Sequence, residues 1–398
     1  MELMIFHNII QSGLGLLINK VLMKSMPFAI LLLLTTCEFP YEANINEETG
    51  LISIDGSIVK GDAIQTITIS RSTSLFEPDF EPLGECIVQV LDEDGNMFDF
   101  HETKKNSGIY QSIIADDQLF FDRGYKVRII TPDEKTYESE YETILRGAPV
   151  DSVYYEKEFV NIGFENQDRG LKFYLDLKGA ETDSRYYRWK LTETWEYKSV
   201  AVIDFIYLNK YFHTSVPEDP LGMFQCWKTL VVPGLYSSST VNLTNNEKKK
   251  IPLHFISPST GRISIKYSLL IEQFSLTPRA YDYWHQNKIE SEETGGLYTQ
   301  QPGQVESNLF NIADEEEHVL GYFWAAAKTE KRIFVDPQPD LNFVNSECEF
   351  HILDKYEIVR FPVYVFTDDY GNEFTTANQT CMNCLLKGGV NERPAFWE

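Results

Sequence analysis

Four of the six cysteines are grouped late in the chain, at Cys226, Cys348, Cys381 and Cys384, and their thiols offer three kinds of chemistry. The run Cys381-Met382-Asn383-Cys384 has the spacing of a redox dithiol or of half a zinc site. A redox pair belongs at the end of a strand in a βαβ unit, and the sequence around it has no such pattern. Zinc needs two more ligands at matching spacing, and no second cysteine pair or histidine pair stands nearby. Two disulfides that staple the tail are therefore expected, with three pairings open. Cys86 stands alone in a β-branched run and is expected to be reduced and buried. The seven histidines (His7, His101, His213, His254, His285, His318 and His351) form neither HExxH nor HxH. No nucleophile elbow or phosphate loop is present beyond residue 37. Glu315-Glu316-Glu317-His318 reads as a solvated cap after Asp314. With 60 acidic residues, sequence spacing alone cannot show a facing carboxylate pair of the kind that hydrolyses glycosides. No catalytic residue, metal or cofactor is predicted.

Cys37 offers different chemistry. It follows the apolar run Pro27–Thr36, which is too short to span a bilayer, and the basic start Met23-Lys24-Ser25-Met26. A basic start, an apolar stretch and small residues before a cysteine resemble a bacterial lipoprotein leader, whose cysteine is acylated and becomes the first mature residue. Residues 1–36 are thus expected to be a signal peptide, with Met23 a candidate start. An uncleaved anchor from about Ile5 is the alternative, and Lys20 and Lys24 interrupt it. Either reading places the rest of the chain outside the cytoplasm, tethered to a membrane, where disulfides persist. Residues 37–50 form an acidic tether without periodicity.

The elements that must position these residues are mostly strands. Thirty-five basic residues against 60 acidic ones give a net charge of −25 over 398 residues, and no basic cluster offsets it, which excludes nucleic acid as a partner. Short alternating runs at 51–55, 64–69, 86–91, 97–100 and 125–130, broken by turn signals, predict an immunoglobulin- or transthyretin-like β-sandwich over 51–148. Asp92-Glu93-Asp94-Gly95-Asn96 is a hairpin turn, because the distal Glu of a calcium loop is missing. Residues 149–398 predict a larger β-rich domain. There Tyr187, Trp189, Leu191, Trp195 and Tyr197 share one strand face, and Arg188, Lys190, Thr192, Thr194 and Glu196 the other. Ile263, Ile265, Tyr267, Leu269 and Ile271 repeat the pattern. Val216–Pro252 is expected to be long loops with one or two strands. Thr277 as N-cap and Pro278 behind it open a helix over about 278–293, stopped by Gly295-Gly296. The fold class is mainly β with one or few helices.

Several motifs follow in one order: Cys226-Trp227, Arg262–Phe274, Tyr281-Asp282-Tyr283-Trp284, Gly295-Gly296-Leu297-Tyr298, Gln301-Pro302-Gly303, Val319-Leu320-Gly321-Tyr322-Phe323 and Lys331-Arg332-Ile333-Phe334. With the tail from Cys381 to Trp397 they resemble the DUF4249 family of Bacteroidota. The resemblance implies an outer-membrane lipoprotein, encoded beside TonB-dependent transporters, with a β-barrel partner and no known reaction. The expected function is non-enzymatic: an accessory or ligand-capture partner of such a transporter, with the ligand unknown. A structural subunit of a larger envelope assembly is the alternative, and an extracytoplasmic hydrolase a weaker one. Tyr281, Trp284, Tyr298 and Trp324 are the candidate contact aromatics.

Overall fold

Alternation shapes the first strand. In Ile52–Lys60, Ile52, Ile54 and Ile58 are buried on one face, while Ser53, Asp55 and Ser57 occupy the other. The computed structural model describes residues 49–74, 79–162, 166–211, 213–215, 222–293, 305–341, 348–354, 356 and 360–398. It is mainly β. From the first strand the main sheet runs one way through Ile64–Arg71, Ile109–Ile113, Met97–Glu102, Ile87–Asp92, Gly124–Ile130 and Thr136–Ser139 to Leu309–Asn311. These strands wrap one apolar core that includes Ile54, Ile67, Val88, Val90, Val127 and Ile129. The turn after Ile87–Asp92 is closed by the Asp92 carboxylate. It accepts from the backbone N–H of Asp94 and Asn96, and Arg123 reaches it at 3.0 Å. Those donors fill the acceptor sites that a cation would use.

In the other direction the first strand pairs in parallel with Leu320–Val335, and the sheet continues through Lys266–Ser275 and Tyr186–Lys198 to Gln225–Val231. The boundary read near residue 148 therefore carries no break in this sheet. Ser53 faces Leu320 and Lys60 faces Ala327 across it, and Val319, Phe323 and Ala325 complete the first core. A three-stranded sheet of Val150–Ile162, Asn166–Lys178 and Glu247–Ile256 encloses a second core with Phe173, Leu175, Trp189, Leu191, Tyr267 and Ile271. Within the 216–252 stretch, the described residues 222–252 are more ordered than their Pro and Gly content suggests. They supply Gln225–Val231, Tyr236–Ser239 and the start of Glu247–Ile256, all bonded into sheets. Ile263 is buried in a turn, because the strand that carries Tyr267 begins only at Lys266.

The cysteine pairing is Cys226–Cys384 and Cys348–Cys381. Cys86 is free, but half-buried and outside the strand. Glu85 at φ 60° turns the chain there, so the extended run starts at Ile87. Glu317 is more than a solvated acid. It takes hydrogen bonds from Lys135, Tyr137 and Asn311, and these hold its carboxyl below the usual carboxylate range against burial, which pushes it up.

The helix forms where its sequence signals place it, over Pro278–Glu293. Thr277 Oγ1 accepts from the Ala280 N–H at 3.2 Å and donates to the Glu142 carboxylate at 2.6 Å. Ala280, Tyr281, Tyr283 and Trp284 pack toward Phe274, Tyr322, Trp324 and Ala326 on the outer face of the main sheet. Asp282, His285 and Gln286 are exposed. Gly295-Gly296 lies outside the described residues.

Candidate functional site

The helix builds the site by roofing the sheet's outer face. Even-numbered residues of Leu320–Val335 carry Tyr322 and Trp324 to that face, and odd-numbered residues of Ile52–Lys60 carry Asp55 and Ser57 there. Asp55 lies opposite Tyr322, and Ser57 opposite Trp324. Two strands away, Arg188 pairs with Phe274. The rings interlock. Trp324 meets Phe274 edge-on at 5.4 Å and Trp284 edge-on at 6.1 Å. Tyr283 stacks on Tyr322 at 4.6 Å.

Into this aromatic recess Arg188 extends its guanidinium. It lies 3.7 Å from the centre of the Trp284 ring, 5.5 Å from that of Trp324 and 6.0 Å from that of Phe274. Cation–π attraction holds it there. Among the described residues, however, none of its N–H groups makes a hydrogen bond, and it closes no ion pair. The Trp284 Nε1–H is also buried without a partner. Burial pulls Arg188 down to about 10, with Asp55 opposing the shift, so it remains a cation at neutral pH. Burial likewise raises the Asp55 carboxyl, and Arg188 draws it back. Asp55 nonetheless keeps an exposed side chain. Arg188 and Asp55 influence each other's charge but form no ion pair with each other. Unpaired charges in a partly desolvated site are costly, and such sites commonly mark recognition.

The sequence-derived candidates divide clearly. Tyr281, Trp284 and Trp324 come together here. Trp324 is only 6 % exposed and forms the floor, so it offers no face to a protein partner. Tyr281 sits at the edge, half-buried between Tyr186 at 5.2 Å and His285 at 5.4 Å. Tyr298 and Cys37 lie outside the described residues. The four stapling cysteines are elsewhere: Cys384 and Cys381 near the C-terminus are tied to Cys226 in the strand Gln225–Val231 and to Cys348, respectively. Sequence reasoning missed Asp55 and Arg188, which looked like ordinary polar positions of alternating strands. The one usable signal was an arginine on the polar face within two residues of three aromatics (Tyr186, Tyr187, Trp189). Among the described residues no cluster of three or more His, Cys, Asp or Glu could hold a metal ion, and no helix is long and apolar enough to cross a membrane.

Against known families, the domain of unknown function DUF4249 matches residues 38–332. The chain belongs to the DUF4249 family. No curated protein matches it. Asp55, Arg188, Phe274, Trp284 and Trp324 all fall within the DUF4249 match, whereas Cys348, Cys381 and Cys384 lie beyond it.

A second polar group of this DUF4249 chain is sealed inside its core. Glu193 interrupts the apolar face of Tyr186–Lys198 and is 2 % exposed. Its carboxylate accepts from Arg262 at 2.5 Å and from the Tyr267 hydroxyl at 3.1 Å. His254 Nε2 is 3.8 Å away, buried and without a hydrogen bond. Burial first, then the nearby cations Arg262 and Lys172, push His254 down to about 4. The folded chain thus refuses a proton that the unfolded chain accepts below its ordinary 6.5, and stability falls as pH drops from there toward 4. The loss from this group is about 3 kcal/mol. Glu193, raised by burial and drawn back by Arg262, acts with the opposite sign, so the comparison must keep it. Urea unfolding at pH 7 and pH 4.5 should show a steeper loss for the native chain than for His254→Phe. Equal slopes would remove His254 from the account.

Proposed function

We propose that the chain is a non-enzymatic lipoprotein of a Bacteroidota outer membrane, anchored through Cys37, that captures a ligand for a TonB-dependent transporter. The observation that carries the reading is the recess around Arg188, with an unpaired guanidinium and an unpartnered indole N–H between aromatic walls. Family membership and the leader-like run before Cys37 support the location. The anchor and acidic body would keep the recess facing solvent rather than an anionic lipid surface.

The two alternatives draw less support. A glycoside hydrolase would need a second carboxylate facing Asp55. Burial also raises Glu142 and Glu193, but these are 3 % and 2 % exposed and bonded to hydroxyl or guanidinium donors, so neither can meet a substrate. A purely structural subunit calls for a broad apolar face. Ile64 and Ile113 are exposed and face each other, but Asp99 and His101 on the next strand interrupt them.

A native pull-down from outer membranes tests the proposal. The intact chain should bring a TonB-dependent barrel with it in mild detergent, and Cys37→Ser should release the chain into the soluble envelope fraction. Recovery as a lone monomer, or a Cys37→Ser variant that stays with membranes, would overturn it.

A further inference from the structure

We infer that a split in the main sheet, between Met97–Glu102 and Ile109–Ile113, is a docking site for a partner protein, which adds an extended, basic segment there as a further strand. Neither Arg188 nor the rings around it line the split, so this site stands apart from the capture recess. The two strands pair only through His101–Gln111 and Glu102–Tyr110. The same register continued would set Asp99 against Ile113, where no pairing forms. Backbone groups of an antiparallel strand bond alternately to the neighbours on its two sides. The Asp92 N–H donates to the Asn96 carbonyl, so Phe98 and Phe100 bond toward Ile87–Asp92, while Met97 and Asp99 point into the split. Across from them the Ile114 N–H donates to the Ala63 carbonyl, so Ile113 also points into the split. Among the described residues, the backbone groups of Met97, Asp99 and Ile113 meet no partner on that side. An open edge of this kind is a template for strand addition, and folds ordinarily pair or cover it. A glycan has no N–H and C=O groups at strand spacing to satisfy it.

The side chains around the edge say what the added strand carries. Open clefts of about 530 and 400 Å3 flank Ile113, which lines both. Ile113 is 82 % exposed and Ile64 opposite it 56 %, so apolar side chains of an incoming strand have a surface to cover. Asp99 and Glu102 line the larger cleft, Asp62 and Asp116 the smaller, and no lysine or arginine lines either. Lys328 and Lys60 pair with Asp62 and Asp116. Asp99 meets only the Gln89 amide, and Glu102 only backbone N–H groups, so their charges stay uncompensated. That charge selects a segment with Lys or Arg. It disfavours a second copy of this chain, which would bring the same carboxylates to the same edge.

Fluorescence anisotropy on the full chain in mild detergent tests the assignment with a labelled, end-blocked peptide, Lys-Val-Thr-Val-Lys-Val. It should bind with a Kd of about 100 μM or tighter. Its counterpart Glu-Val-Thr-Val-Glu-Val should bind at least about tenfold more weakly. Methylating the backbone nitrogens of alternate residues separates strand pairing from charge. One alternate pattern blocks the edge that pairs and should cost at least about tenfold, while the complementary pattern should stay within about threefold. Asp99→Lys should invert the preference between the lysine and glutamate peptides, and Ile113→Lys should weaken the lysine peptide at least about tenfold. Both positions are exposed, so circular dichroism should show both variants folded. The peptide series decides the matter even if a variant fails to fold. No anisotropy change up to about 1 mM peptide, equal binding of the lysine and glutamate peptides, or equal loss under both methylation patterns would each overturn the assignment. A dimer of the chain that Ile113→Lys dissolves would give the edge to a second copy and overturn it as well.

Discussion

Replacing Gly321 with alanine should cost about 4 kcal/mol or more, a large share of the stability of an ordinary domain. Gly321 sits at φ +93°, where an L side chain is strained, and faces Ile54 across the parallel strand pair. A β-carbon there would stand 2.0 Å from the Ile54 carbonyl oxygen and 2.7 Å from its carbonyl carbon. Both obstacles are backbone, so no side-chain rotation relieves them. The strands would have to part where Ile54–Gly321 and Asp55–Tyr322 register joins the two halves of the main sheet. Gly371 is the control. It has φ +85° but nothing within 4 Å of the added carbon, so Gly371→Ala should cost only about 1 kcal/mol, from conformation alone. Guanidinium midpoints of the two variants measure the difference. A Gly321→Ala chain within about 1 kcal/mol of the native one would mean that the parallel pairing is misplaced.

Local signals were legible where one stretch of chain decides the outcome. Thr277 and Pro278 opened a helix because an N-cap hydroxyl and a residue without an N–H suit the first turn whatever lies around it. Asp92 to Asn96 made a turn for the same local reason. Alternation found the strand Tyr186–Lys198 and its buried face. It could not find partners. Nothing in Ile52–Lys60 announces pairing with Leu320–Val335, far away in sequence, since period-two patterning gives a face and no neighbour. Cysteine arithmetic stopped at three pairings for the same reason. Arg188 and Glu193 show the other limit. Each occupies a position that alternation assigns to one face, but its chemistry depends on what lands above that face. For Arg188 this is a helix roughly 90 residues later in the chain, and for Glu193 it is Arg262 and His254 from separate elements. Between Val216 and Pro252, Gly and Pro suggested loops. Sheet pairing overrode that propensity, as tertiary context does in strands.

Removing the Cys226–Cys384 bridge should destabilise the chain by about 5 kcal/mol, and removing Cys348–Cys381 by about 4 kcal/mol, if loop closure in the unfolded chain sets the effect. The bridges close loops of 158 and 33 residues of separation, and the cost grows with the logarithm of that length. Local structure should widen the gap. Cys226 belongs to the edge strand Gln225–Val231, while Cys384 opens the 3-10 turn Cys384–Lys387 of the tail. Around them Trp227 and Val390 exchange backbone hydrogen bonds, Tyr197 donates to the Cys384 carbonyl at 2.8 Å, and Lys228 donates to that of Lys387 at 2.8 Å. The bridge therefore fastens the tail to the main sheet, and the tail in turn sets Trp397 edge-on to Phe334 at 5.7 Å. Cys348–Cys381 closes a much shorter loop, next to the small sheet of Val363–Thr367 and Glu373–Thr375. Alanine rather than serine should replace each pair, since Cys226 and Cys384 are fully buried and a hydroxyl there would add its own desolvation cost. Guanidinium unfolding of the two double variants decides the order. If Cys348→Ala/Cys381→Ala proves the more damaging, the tail is held by its hydrogen bonds and ring contacts, and the long-range bridge contributes little.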